Sequence, residues 1–141
     1  MSVVIEYSRC AGNTRAFALI AEAWNDLVQE GFTPDFVGTC PVKDDTEVLY
    51  AISPDGDIVG VLTWDRDLKS TAFTITLGYV EPSSRRQHVF ADMFKALREI
   101  AAKSHTTLIN VPIHADNEVA EAVLTKLRAQ PVSVEYVVDV S

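Results

Sequence analysis

Cysteine is scarce in this chain: Cys10 and Cys40 are the two among 141 residues, too few for the disulfide framework of a small secreted domain. Histidine is nearly as sparse. His88, His105 and His114 stand far apart, with none of the ligand spacings of a structural zinc site, so no metal is expected. No apolar run approaches the roughly 18 residues that span a bilayer, and the opening Met1-Ser-Val-Val-Ile-Glu6 has neither the basic region nor the cleavage motif of a secretory leader. Six glycines and six prolines are too few for a linker-rich or low-complexity chain. Positive charge is short as well. Twelve Lys and Arg against twenty Asp and Glu leave a net charge of −8, which repels phosphate backbones and anionic lipid over most of the surface. The expectation is one cytoplasmic domain over 1–141, with neither nucleic acid nor membrane as a partner. With 48% apolar residues, a chain of this size can bury a core without disulfide or metal staples.

What is present is a clear order of elements. Val3 to Tyr7 is a short β-rich run. Thr14 to Glu30 then sets Phe17, Ile20, Trp24 and Leu27 or Val28 at helical spacing, with Asn13 or Thr14 as its cap and Gly31 as its stop. Phe32 to Thr46, with Pro34 and Pro41, reads as an irregular connection or a short second helix. Glu47 to Ile52 and Ile58 to Trp64 flank the turn Ser53-Pro-Asp-Gly-Asp57 and predict a hairpin. Thr71 to Val80 alternates Phe73, Ile75, Leu77 and Tyr79 against Thr74, Thr76 and Gly78, a two-faced strand with Tyr79 on the core side. A helix of about five turns follows, capped by Ser83 or Ser84, with Phe90, Met93, Phe94, Leu97, Ile100 and Ala101 as its apolar stripe. Thr107 to Ile113 is a strand, Asn117 to Arg128 a helix, and Val132 to Val140 a final strand. The order β-α-(α)-β-β-β-α-β-α-β predicts an α/β (α+β) domain with a mixed, mostly antiparallel sheet flanked by helices.

One short loop invites a chemical reading. In Cys10-Ala-Gly-Asn-Thr-Arg15 a cysteine and an arginine bracket a glycine, as in the thiolate loop of tyrosine phosphatases, which the stretch resembles. Four residues separate the pair here where that pattern has five, and a loop ending in a helix cap is the expectation.

A second loop carries more. The run Tyr79-Val-Glu-Pro-Ser-Ser-Arg-Arg-Gln-His-Val-Phe-Ala-Asp-Met-Phe94 is a strand, a proline turn, an arginine pair and a helix start, and Asn117-Glu-Val-Ala120 follows the next strand. Residues 85–103 hold five cations (Arg85, Arg86, Lys95, Arg98, Lys103) and two anions (Asp92, Glu99), inverting the sign of the chain where a helix N-terminus favours an anion. These words and the element order resemble the GCN5-related N-acetyltransferase superfamily over nearly the whole chain. The resemblance implies an acyl-coenzyme A N-acyltransferase fold, with acetyl-coenzyme A as cofactor and a small amine or a protein amine as acceptor. It assigns cofactor binding to Val80, Arg85, Arg86, Gln87, His88, Val89, Phe90 and Asn117.

The departures from that pattern bear on function. The family's loop has glycines or small residues where this chain has Arg86, His88 and Phe90, and small residues are what let a backbone approach phosphate oxygens. Seven residues beyond Asn117, where the family often has a tyrosine that protonates the leaving thiolate, stands Leu124, and Arg128-Ala129 replaces a Gly-Phe pair. A hydrocarbon cannot act as a general acid. Glu81 and His114, at the ends of the two strands that the family splays around the acyl group, are the candidates for a catalytic base. Asp44, Asp45 and Glu47 form an acidic run that would attract a cationic amine or simply wet the surface. Three readings therefore stand: an N-acetyltransferase; a protein that keeps the fold, binds no cofactor, and serves as a structural or interaction subunit of a homo-oligomer, a phage particle or another assembly; and, third, a small-molecule binder or antitoxin-like module without transfer.

Overall fold

The computed structural model describes residues 2–31, 40–67, 69, 71–113, 116–134, 136, 138 and 140. Its strands are β1 (Val4–Ser8), β2 (Glu47–Ile52), β3 (Ile58–Arg66), β4 (Ala72–Val80) and β5 (Leu108–Asn110), and its helices are α1 (Phe17–Gln29), α2 (Val89–Lys103) and α3 (Glu118–Lys126). The sheet runs β1-β2-β3-β4-β5. The first four strands are antiparallel neighbours, and β5 joins β4 in parallel, as a strand reached through a helical crossover must. This is the mixed, mostly antiparallel sheet that the element order predicts.

The β2–β3 hairpin closes where expected. The Ser53 N–H donates to Asp57 O at 2.8 Å, and Gly56 takes φ 87°, a left-handed value open to glycine at no steric cost. Each face of the sheet carries a helix. Leu49, Ala51, Leu62, Trp64, Phe73 and Ile75 form one core with α2, and Val48, Val61, Leu77 and Tyr79 form the other with α1. In α2 the stripe Val89, Met93, Phe94, Leu97 and Ala101 is buried, and burial of each of the larger side chains stabilises by about 1.5–3 kcal/mol. No helix among the described residues is long and apolar enough to cross a membrane.

Several local expectations need correction. Neither Asn13 nor Thr14 caps α1. Residues Ala11–Asn13 form a 3-10 turn, the Thr14 hydroxyl donates to Ala11 O at 2.7 Å, and α1 starts later, behind Ala16. Similarly, Ser83 and Ser84 belong to a separate 3-10 turn, Pro82–Ser84, and α2 begins behind His88, shortening it to 15 residues, or about four turns. The proposed short second helix falls mostly on 32–39, outside the described residues, and residues 40–46 form none. The final strand is also corrected: the described residues of 132–140 form no strand, since no sheet edge meets them and a lone strand leaves its backbone groups unpaired.

Candidate functional site

The site is set by a defect in β4. Thr63 lies opposite Leu77 and Trp64 opposite Ile75, so Thr76 is an extra residue, a β-bulge, whose hydroxyl meets that of Thr63 at 2.7 Å. An added residue flips the alternation. Phe73 and Ile75 face α2, whereas Leu77 and Tyr79 face α1, which corrects the expectation of one shared face. Pairing with β5 covers only Ala72–Thr74 with Leu108–Asn110, and beyond it residues 75–80 have no strand partner on that side among the described residues.

Beyond this unpaired stretch the chain leaves β4 and enters α2. The Arg85 side chain folds back, its Nε donating to Val80 O at 2.9 Å and its guanidinium lying 5.4 Å from the centre of the Tyr79 ring. Gln87 donates through Nε2 to Ser83 O at 3.3 Å. Arg86 and His88 both take φ 63°, although neither is glycine. Both are among the loop positions, with Phe90, at which the resemblance leads one to expect glycine or a small residue. A left-handed backbone costs a non-glycine residue about 1–2 kcal/mol, so the shape of a glycine loop persists in a sequence that opposes it.

That shape leaves donors free. Among the described residues, no hydrogen bond is donated by the N–H groups of Arg86, Gln87, His88, Val89, Phe90 or Ala91. These groups stand at the positive end of α2, with the side chains of Arg85, Arg86 and His88 exposed around them. Phe90 does not plug the loop. Its ring is seated on the sheet against Gly78 and stacks on Phe94 with centroids 6.1 Å apart. The arrangement fits a diphosphate. By contrast, the N–H groups of the Cys10 loop are spent: Ala11 donates to Thr46 O, Gly12 to Asp44 O, Asn13 to Cys10 O and Thr14 to Ala11 O, while Arg15 turns away to Gly56 O at 2.7 Å. No phosphate cradle exists there.

The other predicted residues lie as follows. Glu81 follows β4, its N–H donating to Val59 O at 2.9 Å and its half-buried carboxylate accepting from the Ser83 hydroxyl. Val80 ends β4 beside it, and Val89 is buried in α2. His114 lies outside the described residues. The Asn117 carboxamide oxygen accepts the Ala120 N–H at 3.1 Å and so caps α3. Of the acidic run, Glu47 is engaged: Arg66 grips it through Nε at 2.5 Å and Nη2 at 2.7 Å, and the Tyr7 hydroxyl donates to it. Burial pushes the Glu47 carboxyl up, but the Arg66 and Tyr7 hydrogen bonds outweigh burial and hold it below the usual carboxylate range.

One further pair escapes sequence reasoning. The Tyr79 hydroxyl donates to Asp26 Oδ2 at 2.6 Å, and burial together with that carboxylate pushes the phenol up to about 12. Only knowledge of the bulge would have aimed Tyr79 at α1.

No family model and no curated protein matches the sequence. Solved structures do. An aminoglycoside acetyltransferase from an uncultured soil metagenomic sample superposes with a TM-score of 0.69 at 23% identity, covering 100% of both chains. A ribosomal-protein-alanine N-acetyltransferase from Brucella melitensis gives 0.67 at 19% identity, covering 98% of this chain and 99% of its own. AAC(6')-Iy, bound to the bisubstrate analogue CoA-S-monomethyl-acetylneamine, gives 0.63 at 13% identity over 99% of this chain and 98% of its own. Together with the bulged β4 and its short parallel pairing with β5, these likenesses show that the chain has the fold of the GCN5-related N-acetyltransferase superfamily.

Proposed function

We propose that the protein is an acyl-coenzyme A-dependent N-acyltransferase, with acetyl-coenzyme A as donor and an amine, small or on a protein, as acceptor. The observation that carries this reading is the set of free N–H groups at Arg86–Ala91, held by left-handed Arg86 and His88 after the unpaired end of β4. When bound, the coenzyme supplies the acyl group as a thioester. Arg86, Gln87, His88, Val89 and Phe90 would hold its diphosphate by their N–H groups, and Arg85 and Arg86 would add charge. The amine nitrogen forms a bond to the carbonyl carbon as the carbon–sulfur bond breaks. Glu81 takes the proton that the amine loses, and solvent protonates the thiolate, because Leu124 has no proton to give.

The assay is release of free thiol from acetyl-coenzyme A across a panel of amines, with calorimetry of coenzyme binding. Turnover that falls by about 10²–10⁴ in Glu81→Gln supports the assignment. Absence of binding heat at millimolar coenzyme removes it. The second reading, a scaffold subunit without cofactor, is favoured by Leu124 at the position of the family's tyrosine; it fails if the protein turns over a thioester.

A further inference from the structure

The helix α3 is only half seated. None of its residues is buried, and its least exposed apolar side chains, Ala120, Val123 and Leu124, are half-buried. Between α2, β5 and α3 runs a groove of 440 Å³ whose apolar wall is Phe94, Ala101, Ile109, Leu124 and Leu127. That volume falls within the roughly 300–1,000 Å³ of small-molecule pockets. Water suits such a wall badly, because an enclosed water needs two to four polar partners and these side chains offer none.

Two cations line the same groove, Arg98 and Arg128. Neither forms an ion pair among the described residues, although the chain holds twenty Asp and Glu against twelve Lys and Arg. The Arg98 guanidinium lies 5.1 Å from the centre of the Phe94 ring, and its Nη2 reaches Leu127 O only at 3.4 Å, a long hydrogen bond. Arg128 follows the end of α3 with φ 60°, in the left-handed turn where glycine is the usual residue. An exposed arginine is held there at a steric cost.

We propose that this groove binds a carboxylate-headed alkyl chain, a medium-chain fatty acid, with its methylenes against the apolar wall and its carboxylate held by Arg98 and Arg128. Charge complementarity decides the head group. In a chain of −8, two arginines without acidic partners beside an apolar wall favour an anionic amphiphile over a neutral or cationic one, and a planar guanidinium takes a carboxylate through paired hydrogen bonds. Length follows from the helix. Phe94 to Ala102 spans about 12 Å along α2, the reach of a medium-chain acid. Arg98, Ala101 and Ala102 lie roughly 14–20 Å along the same helix from Val89, so the site is separate from the loop at 85–91 and stands whether or not that loop holds a coenzyme.

The test is calorimetric titration of the full chain with hexanoate, octanoate and decanoate, repeated with decanol and with decyltrimethylammonium. Affinity should tighten by about tenfold for each added pair of methylenes, and decanoate should bind about tenfold or more above decanol, with the cationic analogue weaker still. Amide resonance shifts on adding decanoate should centre on 94–102, 106–111 and 124–129. Two variants, Ala102→Trp, which puts an indole into the groove, and Arg98→Gln with Arg128→Gln, should each weaken decanoate by about tenfold while leaving the far-ultraviolet circular dichroism unchanged. Absence of heat at millimolar decanoate overturns the proposal, as does equal binding of decanol, binding that survives either variant, or shifts centred on 78–91. Slow amide exchange at 132–134 without ligand also overturns it, since the chain's own end would then fill the groove.

Discussion

The ring of Phe90 lies against Gly78, its edge 3.1 Å from where a Cβ on that glycine would stand. An aromatic that would crowd a phosphate loop is thereby seated on the sheet, and the N–H groups beside it stay open. Gly78→Val should therefore cost about 1–3 kcal/mol by overpacking and push the ring toward the loop. Urea unfolding reads the first effect, and a weaker calorimetric affinity for coenzyme A reads the second. Unchanged stability would mean that the ring has another seat.

His88→Gly probes the left-handed loop. Glycine removes the steric cost of φ 63° and adds unfolded-chain entropy, for a net gain of about 0.5–1 kcal/mol. Thermal unfolding should rise by about 3 °C. His88→Pro, confined to negative φ, should unmake the loop and lose coenzyme binding. A midpoint that falls in the glycine variant would contradict the left-handed assignment.

The Arg66–Glu47–Tyr7 cluster sets an acid limit. Because the Glu47 carboxyl is held below its ordinary 4.5 in the folded chain, its contribution is present above that value and fades as the pH falls below it. Arg66 is more than one-third exposed, so water screens the pair and its worth is under about 1 kcal/mol. Glu47→Gln should cost under about 1 kcal/mol at pH 7 and less as the pH falls below 4.5, flattening the pH dependence of stability there. Equal losses at both pH values would point to packing rather than charge.

Tyr79 acts at the other end of the scale. Its raised phenol contributes stability below its ordinary 10, and that contribution is lost as the pH climbs toward 12. Tyr7 is raised too, by burial and its hydrogen bond to Glu47, and Tyr50 by its hydrogen bond to Glu6 and by burial. Ultraviolet titration should show Tyr7, Tyr50 and Tyr79 ionising late, and Tyr79→Phe should delete the last step. A titration complete near 10 would contradict the Tyr79–Asp26 hydrogen bond.

Much of this architecture was legible in the chain itself. The stripe from Met93 to Ala101, the Gly56 turn and the strand–helix–strand order are repetitive signals, each read from several residues at once. What was not legible turned on single residues. Thr76 looks like any outward threonine, yet as the bulged residue it reverses the faces of β4. Ser83 and Ser84 are good cap residues, but Pro82 draws them into a 3-10 turn of their own. Arg86 and His88 carry no mark of left-handed backbone, and bulky types there argued against a loop whose shape the chain nonetheless takes. The stretch 132–140 reads as a strand by its alternation, but a strand needs an edge to join, and periodicity cannot say whose.

The most direct measurement is an amide nuclear magnetic resonance titration of the isotope-labelled protein with coenzyme A. The N–H signals of Arg86 to Ala91 should shift first and furthest, and to a lesser degree with inorganic pyrophosphate alone. If those six signals hold still while coenzyme A reaches millimolar excess, the loop is not a diphosphate cradle and the acyltransferase reading falls with it.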